Sequence, residues 1–211
     1  MAGWQNPLPQ VRTVDSMWMR TILQSLEAWS GTATGIPVTW TVGTYQRTPM
    51  STTAVQTVAL TLNRSYATAI YVPSGSSIDR VAIEVTSAGG TGSVVRFGLY
   101  TDSDGKPGSK LFDAGTVDTA ASTGFKELTV SWRNLDGGWY WILTVPQVGT
   151  GPTVRQPAAP MSGFAPYRSA TAGNTPDSWW VYGAAISGAL PSSFGAVTGT
   201  VSGPLVLFRA A

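Results

Sequence analysis

Apolar and polar positions alternate along most of this chain with a period of two. Val95, Phe97 and Leu99 take turns with Arg96, Gly98 and Tyr100, as in a strand whose two sides meet different surroundings. The same alternation appears in Ile36–Tyr45 (Val38, Trp40, Val42), Val55–Leu62 (Val58, Leu60, Leu62) and Ile78–Thr86 (Val81, Ile83, Val85 inward). Tyr66–Val72 and Trp139–Val145 are runs of β-branched and aromatic residues. Lys110–Val117 and the set Phe125, Leu128, Val130, Trp132 mark two further strands. Turn chemistry separates them: Pro73-Ser74-Gly75-Ser76, Ala88-Gly89-Gly90-Thr91-Gly92, the stretch from Asp102 through Asp104-Gly105-Lys106-Pro107-Gly108, and Asp136-Gly137-Gly138. Four strands fall within Val94–Pro146, and their tight connections leave no room for crossover helices, so the pairing is expected to be antiparallel.

One segment breaks this period. Residues 13–29 read as the single helix, with Thr13 or Asp15 at its start, helix formers inside and Gly31 as its stop. Met19, Ile22, Leu26 and Trp29 fall at 3-4-3 spacing, and Trp18 and Leu23 widen the seam. A helix of about seventeen residues is marginal alone. It therefore packs either on the edge of the sheets or, as the seam Trp18, Met19, Ile22, Leu26 and Trp29 suggests, against copies of itself or a larger particle. Residues 1–12, with Pro7 and Pro9, read as an extended arm.

Residues 147–176 hold five Pro and four Gly with little period and read as a long loop. Ser178–Ile186 restores a strand, 191–199 reads as a loop, and Val201–Phe208 is a strand that Gly203-Pro204 would confine to an edge. About nine or ten short strands after one helix predict a mainly β chain. The expected architecture is a jelly-roll-like antiparallel β-sandwich (36–211) preceded by an N-terminal arm and attachment or oligomerisation helix (1–35).

The residues Phe97-Gly98-Leu99-Tyr100, Asp104-Gly105-Lys106-Pro107-Gly108 and Gly137-Gly138-Trp139-Tyr140-Trp141 resemble a pattern of β-sandwich modules in phage tail and virion appendage proteins. The match covers about a quarter of the chain. It rests on turn and core residues, so it speaks to fold and context more than to activity. The resemblance implies a minor tail or fibre-like protein of a phage of actinobacteria, located in the virion after assembly in the host cytoplasm. It also implies an oligomer, with a trimer favoured, that contacts other virion structural proteins and the host surface. A capsid-decorating or head-fibre protein and a monomeric carbohydrate-binding module are the alternatives.

Composition narrows the chemistry. Charged residues are 11% of the 211, against an ordinary share of about 25%. The net charge is +2 and the cations are scattered singly, which argues against nucleic-acid binding. There is neither Cys nor His, so thiolate chemistry, a Ser-His-Asp triad and histidine metal ligands are excluded. No apolar run approaches the roughly 20 residues of a membrane span. The start of the chain lacks the pattern of a signal peptide, and a soluble, cytoplasmically made chain is expected. Glu84 and Glu127, in separate strand patterns, are expected to face solvent rather than to form a glycosidase pair. Asp102 and Asp104 are expected to brace their own turn rather than bind calcium. The expectation is a non-enzymatic protein without a cofactor or metal.

Nine Trp and seven Tyr remain as a signal. Core and inter-subunit packing can use them all. If they meet a glycan, Trp180, Tyr182 and the loop carrying Tyr167 and Arg168 are the candidates.

Overall fold

A computed structural model of the chain describes residues 40–47, 54–158, 179–182, 184–200 and 202–211. All lie within one compact unit, 38–211. The expected arm and helix, and with them Trp18, Met19, Ile22, Leu26 and Trp29, lie outside the described residues, as does the expected boundary after residue 35.

The described residues are mainly β, and every pairing is antiparallel. Sheet 1 holds β1 (Tyr45–Arg47), β2 (Val55–Ala59), β4 (Ser76–Ser87), β7 (Gly124–Leu135), β9 (Thr153–Pro157) and β12 (Val206–Ala210). Sheet 2 runs in the order β11 (Val197–Thr200), β10 (Trp179–Tyr182), β3 (Tyr66–Val72), β8 (Gly138–Gln147), β5 (Val94–Ser103) and β6 (Lys106–Asp118). The connections after β3, β4, β6, β7 and β8 each cross from one sheet to the other. The two sheets enclose a shared core, giving a sandwich-like arrangement.

β4 is the spine of sheet 1. β7 follows one edge from Ser76 to Val85. β12 and β9 share the other edge end to end, at Ile78–Ile83 and at Val85–Ser87. Val81, Ile83 and Val85 point inward, as their alternation predicts, to meet Val95, Phe97 and Leu99 of β5 and Ile70 and Val72 of β3. Two aromatic contacts close the flanks. Phe112 of β6 stacks on Trp132 of β7 with ring centroids 6.2 Å apart, and Trp40 lies 5.1 Å from Phe208 of β12.

Several expectations are corrected. The alternation of Trp40 and Val42 in Ile36–Tyr45 does not make a strand: residues 40–44 form a turn before β1, with Gly43 at φ 80° and Val42 exposed. β12 lies between β1 and β4 rather than at an edge. Gly203 and Pro204 precede the strand, so proline's missing N–H removes no ladder bond. Within the expected loop at 147–176, 153–157 is a strand held between β2 and β4. Phe125, grouped with Leu128, Val130 and Trp132 as marking one strand, is 66% exposed, because it is out of phase with those three and stands opposite Glu84 on the solvent side.

The turn after β5 is tighter than its chemistry suggests. Only Asp104 and Gly105 lie outside the strands, with φ of 52° and 76°. Two consecutive left-handed residues make the hairpin turn whose twist matches its strands, and Asp-Gly is a favoured pair there.

Candidate functional site

The centre of sheet 2 is buried on both faces. Its inner face meets sheet 1. Its outer face carries Ala67 and Ala69 of β3, Tyr100 of β5, and Trp141, Leu143 and Val145 of β8, all packed with Ile186 and Leu190. Residues 184–196, between β10 and β11, thus lie over this face. The strand expected to run to Ile186 ends at Tyr182, and Ile186, Leu190 and Phe194 cover the sheet instead.

The residues that carry the resemblance build this junction. A Cβ on Gly98 would sit 2.2 Å from Leu190 Cδ1 and 2.9 Å from the Phe112 carbonyl, so glycine is what admits the leucine. The Tyr100 hydroxyl donates to the Pro191 carbonyl at 2.7 Å, and Phe194 meets the Tyr100 ring edge-on at 5.0 Å. Trp141 Nε1 donates to Asp102 Oδ1 at 2.7 Å, and the Gly105 N–H donates to Asp102 Oδ2 at 3.2 Å. Asp102 thus ties the hairpin turn to the strand behind it and braces the turn as expected.

Polar groups fasten the rest of the connection. Gln147 Nε2 donates to the carbonyls of Ile186 (3.0 Å) and Gly188 (2.7 Å), and Lys110 Nζ donates to that of Leu190 (2.7 Å). The Leu190 N–H donates to Asp113 Oδ2 at 2.9 Å, while Arg96 holds Asp113 Oδ1 at 2.7 Å. Burial pushes the Asp113 carboxyl upward, but the Leu190 N–H, Arg96 and the Gly115 N–H outweigh it and hold the group below its ordinary value.

The solvent side of sheet 1 carries charge in pairs. Arg155 grips Glu84 through two bonds of 3.0 and 2.7 Å, and Arg209 grips Asp79 at 2.9 and 2.6 Å. Arg80 reaches Glu127 at 3.0 Å, and the Tyr45 hydroxyl donates to Glu127 as well. Bonds from Arg209 and Arg155 lower the carboxyls of Asp79 and Glu84 against a smaller rise from desolvation. Glu84 and Glu127 stand on neighbouring strands, each engaged by an arginine. The Arg155 bonds hold the Glu84 carboxyl below its ordinary value, opposite to the raised pKa that a glycosidase acid needs. Among the described residues no group of three acids could hold a metal ion, and no helix is long and apolar enough to cross a membrane.

Of the expected glycan residues, Tyr167 and Arg168 lie outside the described residues. For Trp180 and Tyr182 the backbone alone is described. Trp180 stands opposite Ala67 and Gly199, and Tyr182 opposite Val197. The structure does place two other aromatics together. Tyr71 of β3 and Trp139 of β8 are register partners, with rings 5.6 Å apart and nearly perpendicular. The period of two puts Trp139 and Trp141 on one strand face, but nothing in the sequence of either strand shows that Tyr71 would join them.

No protein-family model and no curated protein matches the chain.

Proposed function

We infer that this chain is a non-enzymatic structural protein of a virion, a minor-tail or fibre-like appendage whose sandwich is jelly-roll-like. One observation carries this reading. The residues that resemble the phage-appendage pattern interlock through Gly98 with Leu190, Tyr100 with Pro191, and Asp102 with Trp141. A motif used in this way is architectural, and its match argues for a shared building plan rather than shared catalysis. The paired charges of sheet 1 and the low charge of the chain agree with a display scaffold. The N-terminal seam supplies docking to other virion proteins or self-association, with a trimer favoured, and several copies would raise a weak host-surface contact to useful avidity.

Immunogold microscopy with antibodies to this chain is the test. Label at one fixed position on phage particles is expected. Particles that carry neither label nor peptides of the chain by mass spectrometry overturn the reading. Light scattering on the full chain and on a truncation beginning at Gly35 tests the trimer and the part the seam plays in it.

A further inference from the structure

Burial along the outer face of sheet 2 falls off toward the start of β8. Trp141 is 1% exposed beneath residues 184–196, whereas Trp139, two residues earlier on the same face, is half-buried. Tyr71, its partner across the sheet, is half-buried as well. The two ring planes meet at 74°, so the pair forms a shallow corner, one ring a floor and the other a wall.

A carboxylate stands beside it. The register of β5 and β8 sets Tyr100 opposite Trp141 and Thr101 opposite Tyr140, which brings Asp102 next to Trp139, one strand spacing away. The bond from Trp141 Nε1 shows that the Asp102 side chain lies on this face. Trp141 and Gly105 fix its orientation and take one acceptor position on each oxygen. A carboxylate offers about four such positions.

We propose that this corner binds a neutral pyranose unit of a glycan. The axial C–H groups of such a ring are weakly positive and complement the negative face of an aromatic ring. The other aromatic packs on the sugar's edge, and ring hydroxyls donate to the open positions of Asp102. A purely apolar protein segment fits worse, because seating it here would desolvate the carboxylate without giving it a donor. The site differs from Trp180, Tyr182 and the 167–168 loop. It also stands apart from the virion reading, since particle labelling and sugar binding can fail separately.

The test uses the full chain and three probes: a glucan, a galactan and a chitin hexasaccharide. Binding is followed by saturation-transfer NMR and by quenching of tryptophan fluorescence. At least one probe is expected to bind wild type. Tyr71→Ala and Trp139→Ala are each expected to weaken that binding about tenfold, the loss of one stacked ring. Phe125→Ala, which removes an exposed ring from the other sheet, leaves it unchanged. Near-UV circular dichroism checks each fold, and Tyr71→Ala decides alone if Trp139→Ala does not fold. The site is overturned if none of the probes binds, if binding survives both corner variants, or if Phe125→Ala weakens it equally.

Discussion

The seat of Leu190 over Gly98 can be tested by adding one methyl group. Gly98 does not have a left-handed backbone, so alanine there brings no φ strain and the effect is steric. The new Cβ would lie 2.2 Å from Leu190 Cδ1, where carbon atoms ordinarily rest about 3.5–4.0 Å apart. Retreat toward β6 is blocked by the Phe112 carbonyl at 2.9 Å. Leu190, now 3% exposed, must withdraw. Burial of a leucine is worth about 1.5–3 kcal/mol and over-packing costs about 1–3 kcal/mol. Since one event relieves the other, a net loss of about 2 kcal/mol is expected, or about 4–8 °C in Tm for a chain of this size. Urea denaturation gives the stability, and hydrogen exchange should quicken first at the Leu190 and Phe194 amides. In the double variant with Leu190→Ala the clash has no object, so the two costs should fall short of their sum by about 1 kcal/mol. A Gly98→Ala protein within about 0.5 kcal/mol of wild type, or strict additivity in the double variant, refutes the account.

Three further outcomes are expected. Asp79, Glu84 and Asp113 all have folded pKa values below their ordinary ones, so their contribution is complete above the unfolded carboxyl range, about pH 4, and is lost as pH falls through the lowered values. Denaturation midpoints should be flat from about pH 5 to 8 and fall below about pH 4; a midpoint that holds as the pH drops below that refutes the linkage. Thr144 is fully buried and its hydroxyl has no hydrogen-bond partner among the described residues, so Thr144→Val should raise stability by about 1 kcal/mol in urea titration, and a loss of that size counts against it. Trp141→Phe keeps an aromatic side chain but removes the indole donor to Asp102; about 1–2 kcal/mol should be lost in urea titration, and a variant within about 0.5 kcal/mol of wild type shows that the donor carries nothing.

Most strands with many apolar neighbours were legible from their own residues, by alternation or as a β-prone run. Ile78–Thr86, Tyr66–Val72 and the stretch from Val94 are where they were expected. Thr153–Pro157 and Val197–Thr200 were not, since Val154 and Val197 are their only strongly β-prone apolar residues. Their pairing partners, not their own sequence, make them strands. The cover over sheet 2 did leave a sign: the run Trp139–Val145 is apolar at nearly every position, as for a strand buried on both faces. Which segment supplies the cover was hidden, because Ile186, Leu190 and Phe194 sit in a Gly/Ser-rich stretch without a strand or helix period. The aromatic corner depends on the register of β3 against β8, which neither strand specifies alone.

The shared edge of β4 sets the order in which the molecule can be made. During synthesis β4 and its partner β7 emerge early, yet positions 78–83 stay open until residues 206–210 leave the ribosome. β1 waits as long, since its strand partner among the described residues is β12. Sheet 1 therefore closes by joining the two ends of the described chain, a slow, high-separation step. Until then the nascent protein exposes an unpaired strand beside an open core, the state in which such chains aggregate or recruit a chaperone.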